Sequence, residues 1–148
     1  MRKHVSMALA ASLYLFTSLC YAQSSPIGLW KTIDDKTGKP KSLVRIVEVG
    51  GELQGKIEKL FREADQNQNP KCEQCDGAFK DQPFIGLTIL FGLHKDGDEY
   101  AGGKILDPNE GKLYRSKIAV FDNNKKLNVR GYIGMPLLGR TQIWERVE

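Results

Sequence analysis

The 148-residue sequence predicts an all-β protein, an eight-stranded antiparallel up-and-down barrel, on three observations. Short runs rich in β-branched and aromatic residues recur along the chain, and several alternate apolar and polar side chains as a half-buried strand requires. Each run ends in Gly, Asp or Asn, the residues that tight turns demand. No stretch of convincing length carries the apolar period of an amphipathic helix. An open meander of eight strands would leave two long unpaired edges. Closure removes them, so the barrel is preferred over the small two-sheet sandwich that the same strand count also fits.

The elements follow in order. "IGLWKTI" ends in the polar turn "DDKTGKP", and "SLVRIVEV" ends in Gly50-Gly51, a hairpin signal. "ELQGKIEKL" places Leu53, Gly55 and Ile57 on one face and Gln54, Lys56 and Glu58 on the other. The one long connection, Phe61 to Pro83, comes next. "FIGLTILFGL" is the most apolar segment, turned back by "HKDGD"; "EYAGGKIL" leads into the turn "DPNEG". "KLYRSKIAVF" sets Tyr114, Ser116, Ile118 and Val120 opposite Arg115, Lys117 and Ala119. "KLNVRGYI", the loop "GMPLLG" and "RTQIWERV" complete the chain. Glycines within strands (Gly55, Gly86, Gly92, Gly102, Gly103 and Gly131) suit the sharp bends of a small barrel.

Domain organisation is read from the N-terminus. Arg2 and Lys3 precede an apolar stretch from Met7 to Leu19, too short to span a bilayer comfortably, and then small residues. This is the layout of a secretory leader over residues 1–22, cleaved after Ala22, with a single barrel domain over 23–148. A lipid anchor on Cys20 is disfavoured because Leu19 is bulky where that processing needs a small residue. Losing Arg2 and Lys3 from the 22 basic residues leaves 20 against 18 acidic ones. Such balance excludes a strongly basic surface for nucleic acid. The mature chain has no further long apolar run, so no transmembrane segment is expected, and a bacterial periplasmic or secreted address is.

In an oxidising compartment Cys72 and Cys75, which remain as an even pair, are expected to form a disulfide. A redox role would want the pair at a helix N-terminus within a βαβ unit. Here "NPKCEQCDG" lies in a polar loop. A zinc site wants four ligands, and the pair with His94 makes three at most. A local clip, stabilising by roughly 2 kcal/mol through loop closure, is the favoured reading.

Four residues are candidates for a ligand wall: Trp30, Arg130, Tyr132 and Trp144. Trp30 and Trp144 fall on first and last strands that closure makes neighbours, either as a cavity wall or as core packing. If Arg130 and Tyr132 face inward they form a hydrogen-bonding patch for a carboxylate or phosphate. Leu127, Val129, Gly131 and Ile133 occupy the opposite face, which favours an outward Arg130. The acids Asp34-Asp35, Asp96, Asp98 and Asp107 flank turns, where Asp makes local hydrogen bonds. No catalytic constellation, phosphate-binding loop, metal site or cofactor motif is evident.

"SPIGLWKTIDDKTGKPKSLVRI", "GLTILFGL", "GGKILDPNEGKLY" and "LNVRGYIGMPLLGRTQIWERV" together resemble the exported bacterial domain-of-unknown-function family 2147. The resemblance implies a lipocalin-like barrel without established activity. Gly28-Leu29-Trp30 is similar to the Gly-x-Trp of the first lipocalin strand. There the tryptophan plugs one barrel end beneath an arginine from a late strand, a part open to Arg140 or Arg146. The expectation is therefore a non-catalytic binder of a small apolar or amphipathic ligand. The alternative is an envelope or secreted protein-interaction module with a filled core, using the Phe61–Pro83 loop or the "GMPLLG" loop and a partner the sequence does not name. An enzyme working at the barrel mouth is a third reading, since barrels host many activities.

Overall fold

The computed structural model describes residues 24–148, so the expected leader and its cleavage after Ala22 lie outside the described residues. Eight strands, β1 (Gly28–Ile33), β2 (Pro40–Val49), β3 (Glu52–Leu60), β4 (Thr88–Asp96), β5 (Glu99–Asp107), β6 (Lys112–Phe121), β7 (Lys126–Tyr132) and β8 (Gly139–Arg146), form one closed barrel. Each strand pairs antiparallel with its sequence neighbour, and β1 pairs with β8 through Trp30–Arg146 and Lys31–Glu145. A Lys31–Glu145 ion pair of 2.8 Å ties the outside of that seam. Among the described residues no helix is long and apolar enough to cross a membrane.

The alternation read from the sequence is the alternation that folds. Leu53, Gly55 and Ile57 of β3 are buried and face inward, as do Ser116 and Ile118 of β6. Bends fall where side chains must be absent. A Cβ on Gly55 would sit 3.0 Å from the Leu90 Cβ and 3.2 Å from a Val44 methyl. One on Gly103 would meet Leu93 at 2.7 Å, so the two strands approach only because the residue is glycine.

Two boundaries differ from expectation. "FIGL" is not strand: Phe84 and Leu87 are buried in the end of the long connection, and β4 begins at Thr88. His94 is not in a turn either. β4 continues through Asp96, and His94 Nε2 lies 3.3 Å from the Glu52 carboxylate on β3. The turn is formed by Gly97 at positive φ, which the local "DGD" signal locates correctly but too broadly.

The interior is divided by level. Toward the end that holds the β2–β3, β4–β5 and β6–β7 turns, Val44, Ile46, Leu53, Leu90, Leu93 and Ile118 are fully buried and fill the barrel. Toward the other end the inward residues become Thr32, Ser42, Gly131 and Gln142. The barrel is solid below and hollow above.

Candidate functional site

The hollow end is a cavity of about 1190 Å³, open where the β1–β2, β3–β4, β5–β6 and β7–β8 connections meet. Sites for small molecules enclose roughly 300–1,000 Å³, so the volume suits one such ligand with its end in solvent. Ile57, Leu60, Ile89, Ile105, Val129 and Trp144 give it an apolar lower wall. Inward residues are small at this level. The Thr32 and Ser42 hydroxyls occupy each other at 2.7 Å, and Gly131 adds no side chain at all.

Charge gathers at the rim with both signs represented. Lys39, Lys41, Arg62 and Arg140 line it, as do Asp34, Glu63, Asp107 and Glu110. Asp34 shapes the β1–β2 turn: its carboxylate accepts from the Thr37 amide at 2.8 Å, the Thr37 hydroxyl at 3.0 Å and the Lys36 amide at 3.0 Å. These bonds, those from Thr37 foremost, favour the ionised form and hold its pKa below the ordinary aspartate value. Polar contacts run stepwise from floor to rim. The Trp144 indole N–H donates to Gln142 Oε1 at 3.3 Å, and Gln142 Nε2 donates to Asp35 Oδ2 at 3.3 Å. The Arg140 guanidinium lies 3.5 Å from the same carboxylate oxygen. The fold brings Asp35, Arg140 and Gln142 together from β1–β2 and β8, and no sequence pattern marks them as a group.

The four candidate wall residues separate into two pairs. Trp144 lies on the cavity wall and Tyr132 at its upper edge. Trp30 does not line the cavity. It is completely buried at the solid end, its indole N–H donating to the Pro26 carbonyl at 2.8 Å. The Arg146 guanidinium carbon stands 4.2 Å from the Trp30 ring centroid, and the group also donates to the Asn124, Ile27 and Ser25 carbonyls. Partial burial lowers the Arg146 pKa. Arg146, and not Arg140, therefore covers the tryptophan, because β8 enters at the mouth with Arg140 and leaves at the plug with Arg146. Arg130 does not line the cavity either. It lies on the outer face of β7 and donates to the Pro136 carbonyl at 2.7 Å, the Leu137 carbonyl at 3.3 Å and the Thr141 hydroxyl at 2.9 Å. The apolar alternation of Leu127, Val129 and Gly131 turns it outward, whereas Tyr132 reaches the cavity because β7 ends there.

Cys72 and Cys75 form a disulfide with Cα atoms 5.3 Å apart. Both are buried despite the polar loop around them. Cys72 exchanges backbone hydrogen bonds with Gln82 and Asp81, which folds the connection into a small hairpin. The β5–β6 turn lies against it so closely that a Cβ on Gly111 would collide with the Gln74 carbonyl. The clip thus shapes a loop segment that packs against the β5–β6 turn at the cavity rim. Among the described residues no group of three or more His, Cys, Asp or Glu is placed to hold a metal ion.

Comparison with known proteins fits this architecture. A family described as "Uncharacterized protein conserved in bacteria (DUF2147)" matches residues 28–146, from the first strand to the last. The chain belongs to the DUF2147 family. A solved structure, protein HP1028 from Helicobacter pylori, described as belonging to the lipocalin family, superposes with a TM-score of 0.68 at 22% identity over 82% of each chain. That likeness establishes a lipocalin-like barrel fold. A search of the curated proteins found no match to the chain.

Proposed function

We propose that this DUF2147 protein is a non-catalytic binder of one small amphipathic molecule, acting in an exported, oxidising location. The observation that carries the proposal is the division of the interior: a packed plug below, and above it a cavity with apolar walls and a rim of paired charges. An apolar body would lie against Ile57, Ile89, Val129 and Trp144, removing its surface from water. Its polar end would remain among the rim groups. Among the described residues the rim includes neither His nor Cys, and Asp34, Asp35 and Arg140 are already engaged with the protein's own groups, which suits orientation of a head group more than chemistry upon it. The lipocalin-like fold supports the same reading at the level of architecture. A filled-core interaction module would need an interior without room, and the upper half is hollow.

Purified protein extracted with organic solvent, and the extract examined by mass spectrometry, should yield a recurrent amphiphile. Titration with a fluorescent alkyl carboxylate should saturate at one equivalent, and Val129→Trp, which fills the wall, should weaken that titration at least about tenfold. Equal affinity in the folded variant would overturn the proposal.

A further inference from the structure

The β7–β8 loop, Ile133–Leu138, has features that neither the barrel nor the cavity requires. Ile133, Met135, Leu137 and Leu138 are all largely exposed, Leu137 at 81%. Apolar residues consecutive at a protruding tip are costly to leave in water, and a cluster of this kind marks a contact surface. The loop is also held in place. Its turn closes through the Leu138 amide to the Met135 carbonyl at 2.9 Å, and Arg130 grips the Pro136 and Leu137 carbonyls from below. Arg115, on the adjacent strand β6, donates to the Gly134 carbonyl at 3.4 Å.

Along β7 and the loop itself the charge has one sign, whereas the rest of the rim carries both. Between Asp122 and Glu145 the chain holds no acidic residue. Among the described residues, neither Arg115 nor Arg130 forms an ion pair, and only Arg140 finds a carboxylate, that of Asp35. An apolar tip backed by two guanidiniums without counter-charges matches a surface that is oily inside and anionic outside.

We propose that the β7–β8 loop is a docking tip for an anionic lipid bilayer, with Ile133, Met135, Leu137 and Leu138 entering the interface. Arg115 and Arg130 then lie at the level of the lipid phosphates. Ile133 and Leu138 also line the cavity, so docking sets the open end of the barrel against the membrane. Met135 and Leu137 do not line the cavity, so a change at Leu137 tests the surface separately from ligand binding.

Residues 28–146 carry every strand and the whole barrel core, so the experiment uses the chain from residue 23 onward. Sedimentation with vesicles of equimolar phosphatidylglycerol and phosphatidylcholine should show binding that weakens as salt rises, while phosphatidylcholine alone should bind at least about tenfold less. Leu137→Asp/Leu138→Asp should reduce binding at least about tenfold with an unchanged thermal midpoint. Leu137→Trp should retain binding and shift its fluorescence to the blue on mixing, a readout of entry into the interface. Absence of vesicle binding by the parent protein would overturn the proposal, as would unchanged binding by the double variant. Concentration-dependent dimers that disappear in Leu137→Asp/Leu138→Asp, without vesicle binding, would overturn it in favour of self-association.

Discussion

The two ends of the barrel are built by the same strands and differ in what each level of the interior contains. At the solid end Trp30 sits under Arg146, and large aliphatic side chains from β2, β3, β4 and β6 meet across the axis. At the mouth β1, β2, β7 and β8 present Thr32, Ser42, Gly131 and Gln142, and the aliphatic groups stay on the wall. Strand alternation is identical at both ends. Side-chain size, level by level, makes one end a core and the other a container. Stability should therefore reside in the plug, and changes at the mouth should alter binding and local order.

The largest expected effect tests this division directly. Trp30→Ala removes the central plug residue and should cost about 3–5 kcal/mol, measured by denaturant unfolding. Tyr132→Ala at the upper edge should cost far less. Equal losses would erase the distinction between the ends. The disulfide comes next: Cys72→Ser/Cys75→Ser should lose about 2 kcal/mol, with increased amide exchange in 61–87 and at Gly111 and little change around Trp30. Ser116 lies between the two regimes, with a completely buried hydroxyl that has no hydrogen-bond partner among the described residues. Ser116→Ala should stabilise the fold by about 1 kcal/mol, because it removes a desolvated group that gains nothing in return. A destabilised variant would mean that the hydroxyl has a partner in solution.

The smallest effect is confined to the rim and depends on pH. Thr37 and Lys36 hold the Asp34 carboxylate below its ordinary pKa. The order it gives the β1–β2 turn is thus fully present above the unfolded aspartate value, about 4, and is lost as pH falls through the lower folded value. The Thr37 amide resonance should follow that titration, and Asp34→Ala should remove the dependence while the plug remains unchanged. Trp30-region amides moving on the same curve would show the two ends to be coupled.

Much of the fold was legible because it rests on local rules. The alternation in "ELQGKIEKL" and "KLYRSKIAVF" specified which residues face inward, and Gly50-Gly51 located a hairpin. The site was legible only in part. Trp144 followed from the last strand, but the depth of the cavity depends on residues from eight strands meeting at one level, which no local window contains. Arg140 and Arg146 are alike in sequence, and only the direction of β8 through the barrel assigns one to the rim and the other to the plug. The burial of Cys72 and Cys75 was hidden for the same reason. Their immediate neighbours are polar, and the element that buries them, the turn at Pro108 and Gly111, is distant in the chain.

The seam between β1 and β8 has a further consequence, for the order of folding. Arg146 bonds to Ile27 across 119 residues of chain, so the ring cannot shut until the last strand is available. Closing so large a loop is a slow, non-local step, and it comes after the hairpins have formed. A chain cut before Gly139 would keep seven strands and two bare edges, β1 and β7, each ready to pair with another molecule. Short C-terminal truncations should therefore yield aggregates where similar losses from the β3–β4 connection yield a soluble barrel.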